Sequence, residues 1–173
     1  MNAAINEHGL DCKNVFAGIR VKGSGASKTD RLPITEEQLE GASPNFLNDP
    51  LAAALFVTLR DTGCRVAEVT GLLVRDIDLK QQTLAIKSND HRGLKTATSE
   101  RTIPISNEIA QHLAGFCKNK KPPEPLFTKY ARPRGNDSVS AMLMKRLRKT
   151  VSDPKVTIHS LRHRMKDRLR NTG

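Results

Sequence analysis

For most of its length this chain sets its hydrophobic positions in a helical rather than a strand rhythm. Asp49-Pro50 opens the clearest stretch. Leu51, Leu55 and Leu59, joined by Ala52 and Phe56, recur at amphipathic-helix intervals, and Gly63 stands where a left-handed cap would end the helix. A second helix is expected over 65–72. Before both, Thr35 and Gln38 have the spacing of a capping box for a short helix. Residues 107–118 put Ile109, Leu113 and Phe116 on one inward face, and two more helices are expected near 137–151 and 157–171. Three short segments, 76–79, 83–87 and 102–105, read instead as strands. Between the last two, residues 88–101 are too polar for a core and predict an exposed hairpin tip. A Pro-rich loop follows at 121–125. The fold class is therefore α+β, mainly helical, with one small three-stranded antiparallel sheet.

Residues 1–31 read as a tail rather than the start of a domain. A short helix at 3–7 leads into Gly-, Ser- and Lys-rich sequence at 21–28, the composition of a linker. The expected organisation is a tail or interdomain linker, 1–31, followed by one folded domain, 32–173. At 37% apolar the 173 residues can fill one ordinary core.

Charge changes the picture more than composition does. Lys and Arg number 29 against 18 acids, a formal +11, which implies a polyanionic partner, most commonly nucleic acid. The excess gathers near the C-terminus, where Lys145 and Arg146 lie, and in the loop holding Arg132 and Arg134; these four are the candidates for backbone contacts to DNA. A membrane surface fits less well, because no basic amphipathic stretch carries bulky aromatics and no apolar run approaches a span of roughly 18 residues. The cysteines, Cys12, Cys64 and Cys117, have no CxxC spacing and fit a reducing compartment. A cytoplasmic, nucleoid-associated protein is expected. Cys64 reads as a small buried residue.

The candidate chemistry concentrates at 158–168. His159, Arg162, His163 and Lys166 fall at i, i+3, i+4 and i+7, one face of a helix. Such a cluster repels itself unless an anion sits on it, which suits a phosphate grip. Leu161, Met165 and Leu169 repeat every four residues and would pin another face to the core. The HxxxH spacing also invites a zinc reading. However, Ser160 stands where a metalloprotease helix carries Glu, and no third ligand is in view, so neither metal nor other cofactor is expected.

Residues 59–69, Leu-Arg-Asp-Thr-Gly-Cys-Arg-Val-Ala-Glu-Val, resemble the first signature box of the tyrosine recombinase (phage integrase) family, and His159-Ser160-Leu161-Arg162-His163 resembles the second. Leu94-Lys95-Thr96 followed by Ser99-Glu100-Arg101-Thr102-Ile103-Pro104 resembles the β-hairpin that carries the family's catalytic lysine. The resemblance implies metal-free phosphoryl transfer on double-stranded DNA at attachment-type sites, with a tyrosine displacing the 5′-hydroxyl at the scissile phosphate. It makes Arg65 and Arg162 a guanidinium clamp on the phosphate. His159 becomes a further donor or a proton shuttle, and Lys95 the general acid for the leaving oxygen, with Lys87 as its rival. Glu68 would orient the site, or simply pair with Arg65 or Arg75, and His163 would support the packing.

In the family the nucleophile lies downstream of the second box, whereas the single tyrosine of this sequence, Tyr130, precedes it. Tyr130 reads as structural or DNA-contacting. The expectation is a catalytic domain lacking its C-terminal part and nucleophile, inactive and monomeric alone, from a parent tetrameric on DNA. A type IB topoisomerase-like domain and a non-catalytic DNA-binding regulator are the alternatives.

Overall fold

The computed structural model describes residues 31–93 and 100–171. The helix expected at 3–7, the linker at 21–28 and Lys95 lie outside the described residues. Among the described residues, seven helices and three strands follow in order: α1 (Glu36–Ala42), α2 (Pro44–Leu47), α3 (Pro50–Thr62), α4 (Val66–Thr70), β1 (Ile77–Asp78), β2 (Thr83–Ile86), β3 (Arg101–Pro104), α5 (Asn107–Cys117), α6 (Gly135–Leu147) and α7 (Ile158–Asn171). Short 3₁₀ turns at Val74–Asp76 and Thr128–Tyr130 join them.

Local chemistry sets the boundaries. Thr35 caps α1 through the expected box, its hydroxyl accepting from Gln38 N (3.2 Å) while its own N–H donates to Gln38 Oε1 (3.1 Å). Asp49, in extended backbone, caps α3 by accepting from Leu51 N and Ala52 N, both at 2.9 Å. Such a cap contributes about 1 kcal/mol. Gly63 ends the helix at φ 61°, its N–H donating to Leu59 O. A side chain there would strain the backbone and meet Met165 Cβ at 3.0 Å.

The helix between these caps is more buried than an amphipathic stripe. Every residue from Ala52 to Leu59 is buried, because α3 runs through the core with α2, α4, α5 and α7 packed on it. Phe46 of α2 stacks on Phe56 of α3 with ring centroids 4.1 Å apart. The sheet is antiparallel in the order β1-β2-β3, with Leu84 opposite both Ile77 and Ile103. Leu84 and Ile86 turn one face of β2 into the core. Ile109 and Leu113 of α5 point inward as expected, and Phe116 tilts against Phe127, centroids 5.3 Å apart. Val139, Leu143 and Leu147 form the buried stripe of α6, which begins two residues before the expected 137 and ends short of 151.

Two expectations fail. Leu161 is buried as the anchor of α7, but Leu169 is 62% exposed, so the every-four-residue face leaves the core after its second member. Met165 packs against the Gly63 turn, where α3 ends, while Leu169 lines a cleft with Asp61, Pro104 and Ile109. The segment 88–101 is also not uniformly exposed, since Arg92 within it is buried. Among the described residues, no helix is long and apolar enough to cross a membrane.

Candidate phosphate-binding site

The end of α3, the start of α4, β3 and α7 meet at one place, and the last three contribute charged side chains. Gly63 turns the chain out of α3, Cys64 is buried, and Arg65 sits in extended backbone as the residue before α4. Glu68, at the third position of α4, reaches back so that its Oε2 accepts from Arg65 N at 2.8 Å, the carboxylate half of a capping box. Its Oε1 accepts from Arg65 Nη1, also at 2.8 Å. The partner expected for Glu68 was Arg65 or Arg75; the structure gives Arg65 together with a second arginine from the sheet. Arg101 Nη2 donates to Glu68 Oε2 at 2.9 Å.

With a side chain only 4% exposed, Glu68 is a nearly buried carboxylate shared by two guanidiniums. Burial alone would push it up. The Arg101 hydrogen bond, the Arg65 backbone N–H, the Arg101 charge and the Arg65 side-chain hydrogen bond reverse that and hold it at about 2, against an ordinary 4.5. It stays ionised wherever the protein is folded at physiological pH.

Arg162 enters from α7. Its Nη1 donates to Gly63 O, so the turn that ends α3 also orients this guanidinium. Burial, then the neighbouring charges of Arg65 and Arg101, lower the Arg162 pKa, while Glu68 opposes them. Arg65 and Arg101 bond the carboxylate directly, and Arg162 bonds the turn just before Arg65. His159, one turn earlier on the same helix face, packs edge-on against His163 with centroids 5.0 Å apart. Burial, then the charges of His163, Arg31, Arg162 and Lys166, hold His159 below the ordinary 6.5 and leave it neutral at pH 7. Arg65 and His159 line a cleft of about 380 Å³ together with Arg31 and Thr157. Thr157 Oγ1 is the buried side-chain oxygen without a hydrogen-bond partner among the described residues.

Of the residues singled out in the sequence, Arg65, Glu68, His159, Arg162 and His163 therefore come together. Lys95 lies outside the described residues; its rival Lys87 ends the β2 side of the hairpin, where its carbonyl accepts from Arg92 Nε at 2.7 Å. Cys64 is buried, and burial pushes its thiol up, which suits packing and not nucleophilic attack. Tyr130 is also buried, 7% exposed, in the 3₁₀ turn before α6. Among the DNA-contact candidates Arg132 and Lys145 are exposed, Arg134 pairs with Asp137 in solvent, and Arg146 bonds Asp49 Oδ2 (2.8 Å) and Asn45 O (2.9 Å), tying α6 to the α2–α3 corner.

Three further arginines belong to the site or its support. Arg101 stands in the Ser99–Pro104 stretch of the hairpin resemblance, which gives it no role. Arg31 lies beside the cleft at the start of the domain. Arg92 had no signal at all, being one basic residue in a polar loop; its Nη1 donates to Glu68 O at 3.0 Å and its Nη2 to Asp76 Oδ2 at 3.2 Å. Gly71 lets Arg92 approach, since a Cβ there would stand 2.6 Å from Arg92 Cβ.

Residues 35–173 match the model of the phage integrase family. The chain belongs to the phage integrase family. Among family members it is 34% identical over 124 residues to the integrase of Staphylococcus phage L54a, covering 59% of this chain and 35% of that protein. It is 26% identical over 148 residues to the tyrosine recombinase XerA of Pyrococcus furiosus, covering 83% of this chain and 50% of the relative. The chain thus spans half or less of the length of these relatives. The fold is that of XerA recombinase (TM-score 0.64, 22% identity, 82% of this chain and 52% of that one). It is equally that of the Tn1549 transposon integrase in complex with transposon right end DNA (TM-score 0.65, 22% identity, 99% of this chain and 63% of that one). The α+β class, mainly helical with a three-stranded antiparallel sheet, is accordingly the tyrosine recombinase catalytic-domain fold.

Proposed function

We propose that this chain supplies the phosphate-binding part of the catalytic domain of a phage- or prophage-type integrase, which cuts and rejoins duplex DNA through a 3′-phosphotyrosine. The observation that carries the reading is the pairing of Arg65 and Arg101 on the single Glu68 carboxylate, with Arg162 held on the adjoining Gly63 turn and His159 lining one cleft with Arg65. Three positive charges and one negative leave the cluster a net +2. A phosphodiester brings one negative charge and gains a second in its pentacovalent transition state, so the cluster matches the charge that develops. Guanidinium forks can meet two non-bridging oxygens without a metal ion.

In the reaction the family resemblance implies, a tyrosine oxygen attacks phosphorus, the bond to the 5′-oxygen breaks, and Lys95 protonates the departing oxygen. Neutral His159 can accept the tyrosine proton or donate its N–H to a phosphate oxygen. Tyr130 is buried in a tight turn, so the attacking hydroxyl in this reading comes from outside residues 1–173. The partner is double-stranded DNA at attachment-type sites, with Arg132, Arg134 and Lys145 on flanking phosphates. The parent enzyme is tetrameric on DNA, the chain alone monomeric, and its place the cytoplasm and nucleoid.

The test is duplex-DNA binding across a salt series. Log affinity should fall steeply with log salt, with a slope of about 0.9 per phosphate neutralised, and Arg65→Ala with Arg162→Ala should weaken binding. No covalent adduct should form. Salt-insensitive binding, or an adduct lost on Tyr130→Phe, would overturn the reading.

A further inference from the structure

Glu68 is bonded from two sides, and the second side belongs to neither signature box. Its Oε1 accepts from Arg65 Nη1 at 2.8 Å and lies 3.4 Å from Arg101 Nη1. Its Oε2 accepts from Arg65 N at 2.8 Å and from Arg101 Nη2 at 2.9 Å. Arg101 Nη2 also lies 3.5 Å from Cys64 Sγ, and the residue stands opposite Ile86 in the sheet, so its backbone is fixed by strand pairing. The Glu68 side chain is 4% exposed and cannot replace a lost donor with bulk water, whereas that of Arg65 is 42% exposed on the cleft.

These contacts decide what Arg65 can do. A carboxylate with one guanidinium partner is that partner's counter-ion and competes with any incoming phosphate for its N–H groups. A second guanidinium, held rigidly on the far side, divides the carboxylate's charge and fixes its plane. We propose that Arg101 is a positioning residue for this site: acting through Glu68, it orients Arg65 and keeps Glu68 from neutralising it, so that Arg65 can take a phosphate oxygen. The inference rests on the phosphate-binding reading above. It also gives β3 a direct part in the site, since the strand's first residue sets the state of the arginine just before α4.

The test uses the whole 173-residue chain and inorganic phosphate as the probe, with chloride at matched ionic strength as the control. Side-chain Nε–H resonances of Arg65 and Arg162 are followed by NMR in the wild type, Arg101→Met, Arg101→Lys, Glu68→Gln and Arg101→Met with Glu68→Gln. Phosphate should shift both arginines in the wild type. Arg101→Met should weaken the Arg65 response roughly tenfold, about the worth of one charge-assisted hydrogen bond, and Arg101→Lys should recover part of it. In the Glu68→Gln background, Arg101→Met should cost little more, because the residue through which it acts is already neutral. The Glu68 carboxyl should titrate higher in Arg101→Met than in the wild type. Should Arg101→Met fail to fold, Arg101→Lys and Arg101→Gln carry the same comparison. A wild type that binds phosphate and loses nothing in the Arg101 variants overturns the inference alone, as does an equal loss with and without Glu68. A wild type with no phosphate response at Arg65 and Arg162 overturns the phosphate-binding reading itself, and the inference with it.

Discussion

Arg92→Met is the sharpest perturbation of the scaffold under the site. The Arg92 side chain is fully buried and pairs at 3.2 Å with Asp76, whose side chain is 6% exposed. The same guanidinium bonds the carbonyl of Lys87 at the root of the hairpin and that of Glu68 in α4. Burial draws the Arg92 pKa below the usual arginine range against the pull of Asp76. Methionine fills similar space but leaves Asp76 with the N–H of Leu73, at 3.0 Å, and no counter-charge. Breaking one side of a buried pair costs about 3–5 kcal/mol, a large share of the ~5–15 kcal/mol that holds a domain together. For a domain of this size that is a fall in Tm of roughly 6–20 °C. Urea unfolding at pH 7 measures the loss. Adding Asp76→Asn to Arg92→Met, which removes the orphaned charge yet still accepts from Leu73 N, should return about 1–2 kcal/mol. If Arg92→Met costs less than about 1 kcal/mol and the second substitution returns nothing, the pair is not the brace described here.

Three other outcomes are expected. Glu68 has a depressed folded pKa, about 2 against 4.5, so its stabilisation is fully present above 4.5 and fades as pH falls toward 2. It is worth at most about 3 kcal/mol, trimmed by solvent screening at the half-open Arg65. Glu68→Gln should remove that slope from unfolding curves taken between pH 7 and 3. Gly63→Ala forces a side chain into φ 61° and against Met165; a loss of about 1–3 kcal/mol in thermal melts is expected, with weaker DNA binding because Gly63 O holds Arg162. An anion bound beside His159 raises its lowered pKa, so DNA affinity should climb about three- to tenfold as pH drops from about 7 to 5.5, and His159→Gln should flatten the profile.

What was legible in the sequence is what chain-local chemistry decides. Asp49-Pro50 and Gly63 bound α3 because caps and a left-handed turn involve neighbours a few residues away. His159, Arg162 and His163 share a face because helical spacing puts them there. The partners that complete the site lie far apart in sequence. Arg101 reaches Glu68 from a strand 33 residues on, and Arg92 meets Asp76 across 16. Periodicity carries no information about either pairing, and in a polar loop a buried arginine reads like a solvated one. Leu169 misled for the opposite reason: its spacing is that of a buried face, but it lines a cleft and stays 62% exposed.

In the proposed function Arg65, Arg162 and His159 together grip a phosphate of DNA. Its most direct test is an NMR titration of the chain with a short duplex, following the Arg65 and Arg162 Nε–H groups and the His159 ring. All three should shift together, early in the titration, and return as salt is raised. A duplex that shifts only the exposed side chains, Arg132 and Lys145 among them, and leaves those three unchanged would contradict the account.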